Sequence, residues 1–359
     1  MDWRWGAIAA VALALLALYP QLHFWTSSGE WRALPYAHVE GVGDEVAYSA
    51  YVNALINGRP RRSDPYTGRD DTKEQAQAES LFSIQFVPAY MIALPARAMG
   101  LSASVAFIWL SVFAACAAAL ALFWLIASIT GQERLAAAAT IFVLCLGTLV
   151  SGHGQVVALF GGKPLYNYLM FLRRYQPSAS FPFFFIFCGL VWRALTRERA
   201  VAATCAAVSA GAVFALLVFS YFYLWTAAVA WLGCLALLWL WARPEGFRRG
   251  LKMLSLTGLL ALASLLPYAL LLSRRAETMD SVEAYVRSRS PDLFRLPELI
   301  AFAVLLVLGL MVQRGAVSWR DKRALFAASF ALMPLFVFNQ QLVTGRIMQP
   351  IHYEMFVAN

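Results

Sequence analysis

The sequence predicts an all-α fold, a polytopic transmembrane helical bundle of about nine spans with a long first extracytoplasmic loop that contains juxtamembrane helices. Three observations carry that expectation. The 359-residue chain is 61% hydrophobic and only 14% charged, with a mean hydropathy of +0.63, too apolar for a soluble globule. Its apolar residues gather in repeated runs of about 18 to 25, the length a helix needs to cross a hydrocarbon core about 30 Å thick. These runs are rich in Leu, Ala and Phe, whereas a transmembrane β-barrel would show short segments of alternating polarity.

In chain order, the candidate spans cover 5–24, 104–128, 135–150, 180–195, 201–219, 224–241, 253–272, 298–312 and 324–338. The first lies in MDWRWGAIAAVALALLALYPQLHFW, which has one Arg ahead of the run, no small-x-small cleavage site and more length than a signal peptide needs. It reads as a retained helix. Five cysteines, Cys116, Cys145, Cys188, Cys205 and Cys234, fall inside apolar runs without CxxC spacing and read as small core residues.

Orientation follows from the basic residues. With a cytoplasmic N-terminus, alternation places 13 of the 29 basic residues on very short inner links, among them Arg193, Arg197 and Arg199, then Arg243, Arg248, Arg249 and Lys252, then Arg314, Arg320, Lys322 and Arg323. The positive-inside rule then puts the long loops outside. Orientation also accounts for the net charge of +9, and no basic block interleaved with aromatics calls for a nucleic-acid partner. The stretch SIQFVPAYMIALPARAM, 83–99, is apolar enough to cross, but a crossing there would move every later basic cluster outside. It is read as an interfacial or re-entrant helix.

Outer segments hold most of the polar chemistry. The first, within 25–99, contains GDEVAYSAYVNALING at 43–58, headed by Asp44 and Glu45. A helix opening near Asp44 would align Asp44, Tyr48, Tyr51 and Leu55 on one stripe. Helix capping is one sufficient reason for Asp44. General base or metal ligand is a second role, compatible with the first, because a partly desolvated carboxylate takes a proton from an attacking hydroxyl near neutral pH. Arg59, Arg61, Arg62 and Asp64, with the turn-like SDPYTG, read as a solvated loop before an anion site.

The second outer segment, 151–185, carries His153, Lys163, Arg173 and Arg174. An Arg pair entering the membrane from outside runs against the positive-inside trend; it fits either snorkelling to headgroups or the grip of a guanidinium fork on a lipid-linked phosphate. The third, 273–298, reads as a solvated amphipathic helix followed by a turn. Between two spans, SYFYLWT at 220–226 reads most simply as aromatic anchoring at the interface. The last stretch, FNQQLVTGRIMQPIHYEMFVAN, 338–359, is dense in polar groups, including Arg346 and His352, and stops without finishing a helix, as a fragment of a longer protein would.

GDEVAY in the first outer loop, with weaker support from RRYQPS and NQQLVTGR, resembles the GT-C superfamily of integral-membrane glycosyltransferases, whose relatives include the protein O-mannosyltransferases, the aminoarabinose transferases and the bacterial oligosaccharyltransferases. The resemblance spans residues 1–359 as one transmembrane domain, truncated at its C-terminal end relative to some relatives. It implies a multi-pass protein of the bacterial inner membrane that moves a hexosyl or pentosyl group from a polyprenyl-phosphate donor to a lipid, glycan or protein acceptor on the outer face. It implies catalytic roles for Asp44 and Glu45 and substrate binding by Tyr48, Arg173, Arg174, Arg346 and His352. Polyprenyl-phosphate-linked sugar and membrane lipids are the expected partners. A divalent cation is left open, since Asp64 and Glu79 are only loosely placed for one. A transporter or flippase of a lipid-linked or anionic substrate is the rival, and would show internal repeats and mid-span charge that this chain lacks. A surface-polysaccharide polymerase or ligase is a nearer alternative, but would carry its large loop late in the chain.

Overall fold

The computed structural model describes residues 1–33, 43–151, 161, 175–277, 279 and 286–356, without the side chains of 43–44, 146–151 and 355–356. Its helices are α1 (Trp3–Ser28), α2 (Gly43–Ile56), α3 (Leu81–Ile84), α4 (Phe86–Ala98), α5 (Ala103–Thr130), α6 (Glu133–Ser151), α7 (Phe181–Thr196), α8 (Ala200–Val218), α9 (Phe222–Ala242), α10 (Phe247–Leu272), α11 (Leu296–Gln313), α12 (Lys322–Val337), α13 (Gln341–Thr344) and α14 (Pro350–Phe356). A two-residue ribbon pairs β1 (Val286–Arg287) antiparallel with β2 (Arg346–Ile347), Arg287 opposite Arg346.

Among the described residues, seven helices are long and apolar enough to cross a membrane: α1, α5, α8, α9, α10, α11 and the Lys322–Thr344 stretch made by α12 and α13. The chain is an all-α, multi-pass membrane protein. Helices α6 and α7, of 19 and 16 residues, coincide with the two remaining predicted spans. Local signals set the boundaries. Asp2 accepts a hydrogen bond from the Arg4 backbone N–H at 3.1 Å to open α1, and Asp321 accepts one from the Arg323 backbone N–H at 2.8 Å to open α12. Gly29 and Gly131 end α1 and α5 in the left-handed conformation, at φ 69° and 70°.

Apolar burial cannot drive helices together inside lipid, so close packing and small residues must. Helix α7 sits between α5 and α8 and also touches α9 and α10. A Cβ at Gly189 would overlap the Trp124 ring, and one at Gly211 would come within 2.5 Å of the Leu260 Cβ, so these glycines set the α5–α7 and α8–α10 approaches. The centre is aromatic: Phe187 meets Phe214 at 5.6 Å and Trp231 at 5.7 Å between ring centroids, and Trp231 meets Phe326 at 5.3 Å. These contacts tie α7, α8, α9 and α12 together. Leu259, Leu262 and Leu266 on α10 and Leu306 on α11 are exposed, the surface a bilayer would cover.

The bundle has two chemically distinct ends. At the basic end, the Met1 amine lies 3.9 Å from Glu133, Trp192 donates to the Ser128 carbonyl at 3.1 Å, Arg249 donates to the Glu198 carbonyl at 3.1 Å, and Trp241 packs on Trp319. The short links bearing the predicted basic clusters therefore share one end. At the loop end, the Glu79 N–H donates to the Arg274 carbonyl, the Val87 N–H to the Phe219 carbonyl, Gln176 to the Ser220 carbonyl and Asn339 to Glu298. Both ends of α4 belong here: Phe86 packs on Phe219 and Arg61, while Arg97 lies against Gly58. At 13 residues, α4 is about 20 Å long, short of a bilayer crossing.

Two expectations change. Cys205 is exposed instead of being a core residue, while Cys188 and Cys234 are buried and Cys116 and Cys145 half-buried. The third outer segment shows turns and β1 where it is described; the helix expected there falls mainly on 278 and 280–285, outside the described residues.

Candidate functional site at the loop end

Asp44 lies within α2 and not at a flanking cap position; its side chain lies outside the described residues. Glu45 is buried. The predicted stripe is a packing face. Tyr48 stacks on Tyr175 with ring centroids 4.4 Å apart and meets Phe82 edge-on at 5.5 Å, while Tyr51 and Leu55 are buried against α4 and Phe82. Tyr51 also donates to the Arg61 carbonyl at 2.7 Å. Burial pushes the hydroxyls of Tyr51 and Tyr175 above the ordinary phenol range, so both stay protonated, and Tyr51 serves as a hydrogen-bond donor.

The loop after α2 is largely exposed, as a solvated loop would be, but Arg59, Arg61 and Arg62 are not free. Its charges pair internally: Arg59 with Asp70 at 2.8 Å, Arg62 with Asp71 at 2.5 Å, and Arg61 with Glu79 at 2.6 Å. Arg61 grips both Glu79 oxygens and reaches the Ser83 carbonyl, and the Ser83 hydroxyl donates to Glu79 at 2.6 Å. Burial would raise the Glu79 carboxyl, but the Arg61 and Ser83 hydrogen bonds and the Arg61 charge outweigh it and hold it below the usual carboxylate range. Asp64 accepts from the Tyr66 N–H and the Thr67 hydroxyl, closing its own turn. Neither acid is therefore poised as a metal ligand, and among the described residues no three His, Cys, Asp or Glu side chains gather as a metal site.

A second group forms around α14. The His352 ring lies parallel to Tyr223, with centroids 4.4 Å apart, and its Nδ1 is 3.1 Å from the Tyr221 hydroxyl. Tyr353 and Thr226 share a hydrogen bond at 2.7 Å. Nearby, Arg295 pairs with Asp292 at 2.6 Å and Glu354 at 3.3 Å, and Asn339 donates to the fully buried Glu298 at 2.9 Å. SYFYLWT packs largely inward: Ser220, Tyr221, Tyr223 and Leu224 are buried, while Phe222, Trp225 and Thr226 are half-buried. It joins the two groups, because Ser220 accepts from Gln176, which in turn accepts from Ser180, next to the Tyr175 that stacks on Tyr48.

Of the site residues expected from sequence, Glu45 and Tyr48 share α2, and His352 connects to Tyr48 through this chain of contacts. Arg346 is exposed on β2, opposite Arg287. Arg173 and Arg174, like His153 and Lys163, lie outside the described residues. The sequence reading named Arg61, Glu79 and the RRYQPS stretch that holds Gln176, but not the pairing of Arg61 with Glu79 and Ser83, the Gln176–Ser220 link or the Arg295 cluster. Only Arg295 offered a local signal, the three-residue spacing to Glu298 at a helix start. Partners 18 and 44 residues apart leave no pattern.

An apolar groove of about 840 Å³ runs between α4, α5 and α7, lined by Met91, Met99, Trp109, Phe113, Pro182 and Ile186 among others, with Ala179 of the 175–180 turn in its wall. Among the described residues its wall holds Pro, Ala, Leu, Ile, Met, Phe and Trp and no charged side chain.

The chain matches no family model, no curated protein and no solved structure.

Proposed function

We propose that this protein is a GT-C-type membrane glycosyltransferase, transferring a hexosyl or pentosyl group from a polyprenyl-phosphate donor to a lipid, glycan or protein acceptor. On this reading the loop end faces the extracytoplasmic side of a bacterial inner membrane, and the N-terminus is cytoplasmic. The observation that carries it is the groove between α4, α5 and α7, uncharged among the described residues, whose wall includes Ala179 of the 175–180 turn. An isoprenoid chain suits such a wall, and its phosphate would then sit at the level of the loop-end layer.

The chemistry asked of the residues is modest. The acceptor hydroxyl oxygen bonds to the anomeric carbon as the bond from that carbon to the phosphate oxygen breaks. The hydroxyl proton passes to Asp44, and the electron pair leaves with the polyprenyl phosphate, a good leaving group. Glu45 assists Asp44. Arg173 and Arg174 neutralise the departing phosphate, with Arg346 and His352 as further binding groups and Tyr48 shaping the acceptor side.

The test uses the full-length protein in its own membranes, with transfer of label from lipid-linked sugar as the readout. Asp44→Asn at normal expression is expected to lose most transfer, and Ala117→Trp, placed on the exposed groove wall, to weaken donor use. Undiminished transfer by the Asp44 variant would reject the catalytic assignment.

A further inference from the structure

The basic end holds a second concave region that the proposed transfer does not use. Two hollows, of about 460 and 760 Å³, meet at the end of α7 and share Arg193, Thr196 and Arg197. The smaller lies against α1 and α5, where Trp3, Trp124 and Trp192 form its wall and the Met1 amine its rim. The larger continues between α7 and α8 past Arg199, Ala202 and Cys205 to Ser209. From Arg199 to Ser209 is ten residues of α8, about 15 Å.

Two features separate this region from ordinary snorkelling. The Arg193 guanidinium is held over the Trp124 ring at 5.4 Å, and the neighbouring Trp192 is fixed by its hydrogen bond to the Ser128 carbonyl, so the cation is positioned instead of being free to follow solvent. Among the described residues, no carboxylate pairs with Arg193 or Arg197; the Met1 amine has Glu133 at 3.9 Å. Glu198 does line the larger hollow, but three arginines line it too, and Arg249 takes the Glu198 carbonyl. The balance is cationic at the mouth and small and weakly polar along the groove.

We propose that this region binds an anionic phospholipid, its phosphate on Arg193 and Arg197 and one acyl chain in the α7–α8 groove alongside Cys205. A guanidinium fork matches phosphate oxygens, and basic hollows between transmembrane helices are suited to anionic headgroups. Trp side chains at this level complete the setting of a membrane–water interface. A free inorganic anion would use the arginines but leave the groove empty, and a zwitterionic lipid would use the groove while gaining little from the arginines.

Cys205 is an exposed native thiol on the groove, and so a built-in reporter. Full-length protein in a neutral detergent is treated with N-ethylmaleimide, and modification of the Cys205 peptide is followed by mass spectrometry. Phosphatidylglycerol is expected to slow modification at concentrations well below those at which phosphatidylcholine does, while inorganic phosphate leaves it unchanged. In Arg193→Gln/Arg197→Gln the phosphatidylglycerol concentration needed for half protection should rise about thirtyfold, in keeping with two arginines near an anionic lipid surface. Arg197 is exposed, so Arg197→Gln alone, checked for an unaltered melting temperature, gives the same test without disturbing the Trp124 stack. Equal protection by phosphatidylcholine, equal protection by inorganic phosphate, or protection unchanged in both variants would each overturn the proposal.

Discussion

Glu79 illustrates how a loop carboxylate becomes structural. It is buried, held by both nitrogens of the Arg61 fork and by Ser83, while its backbone N–H and carbonyl bond to Arg274 and Ala276. Its folded-state carboxyl lies below the usual range, so the stabilisation is complete above the unfolded carboxylate pKa of about 4.3 and is lost as pH falls through the folded value. Glu79→Gln is expected to cost about 2 kcal/mol at neutral pH, less than a fully buried pair because Arg61 keeps some exposure. Thermal melts from pH 7 to pH 3 check this: wild type should lose more of its melting temperature on acidification than Glu79→Gln. The same residue scale explains why His352 reads differently in the fold. Its ring stacks on Tyr223 and bonds Tyr221, so part of its role is to seat α14.

Among the elements, α2 and α7 are the informative pair. Helix α2 was legible as a helix from its stripe, but the stripe alone did not say whether Tyr48 and Tyr51 face a ligand or a neighbour. Packing against Tyr175 and Phe82 gives them a neighbour. Helix α7 is short for a bilayer crossing at 16 residues, and it keeps its place by enclosure among α5, α8, α9 and α10. Gly189 is what lets it approach Trp124. Gly189→Val should therefore overpack the α5–α7 contact and cost about 1 to 3 kcal/mol, measured as a fall in melting temperature in detergent. A variant as stable as wild type would mean that the helices separate without penalty. Since Trp124 also supports Arg193, the same substitution should loosen the basic end.

On the scale of the whole molecule, the arrangement makes a simple prediction about sidedness. The basic links and the long loops occupy opposite ends, so in a Cys205→Ser background a cysteine at exposed Lys73 and one at exposed Arg320 should react with a membrane-impermeant maleimide from opposite sides. Labelling of both from one side would break the alternation. Much of this scale was readable beforehand, because each span must satisfy its backbone internally and carry an apolar run, and that requirement is local. By itself, then, the sequence determined the class, the positions of the helices, and the separation of basic links from long loops. Only the tertiary structure decided that Arg59, Arg61 and Arg62 pair with Asp70, Glu79 and Asp71, that Ser220, Tyr221 and Tyr223 of SYFYLWT are buried between two loop groups, and that Arg193 is braced by Trp124. The physical reason is range: hydropathy acts along a continuous stretch of chain, whereas a charge finds its partner through the fold, over separations that leave no period in the sequence.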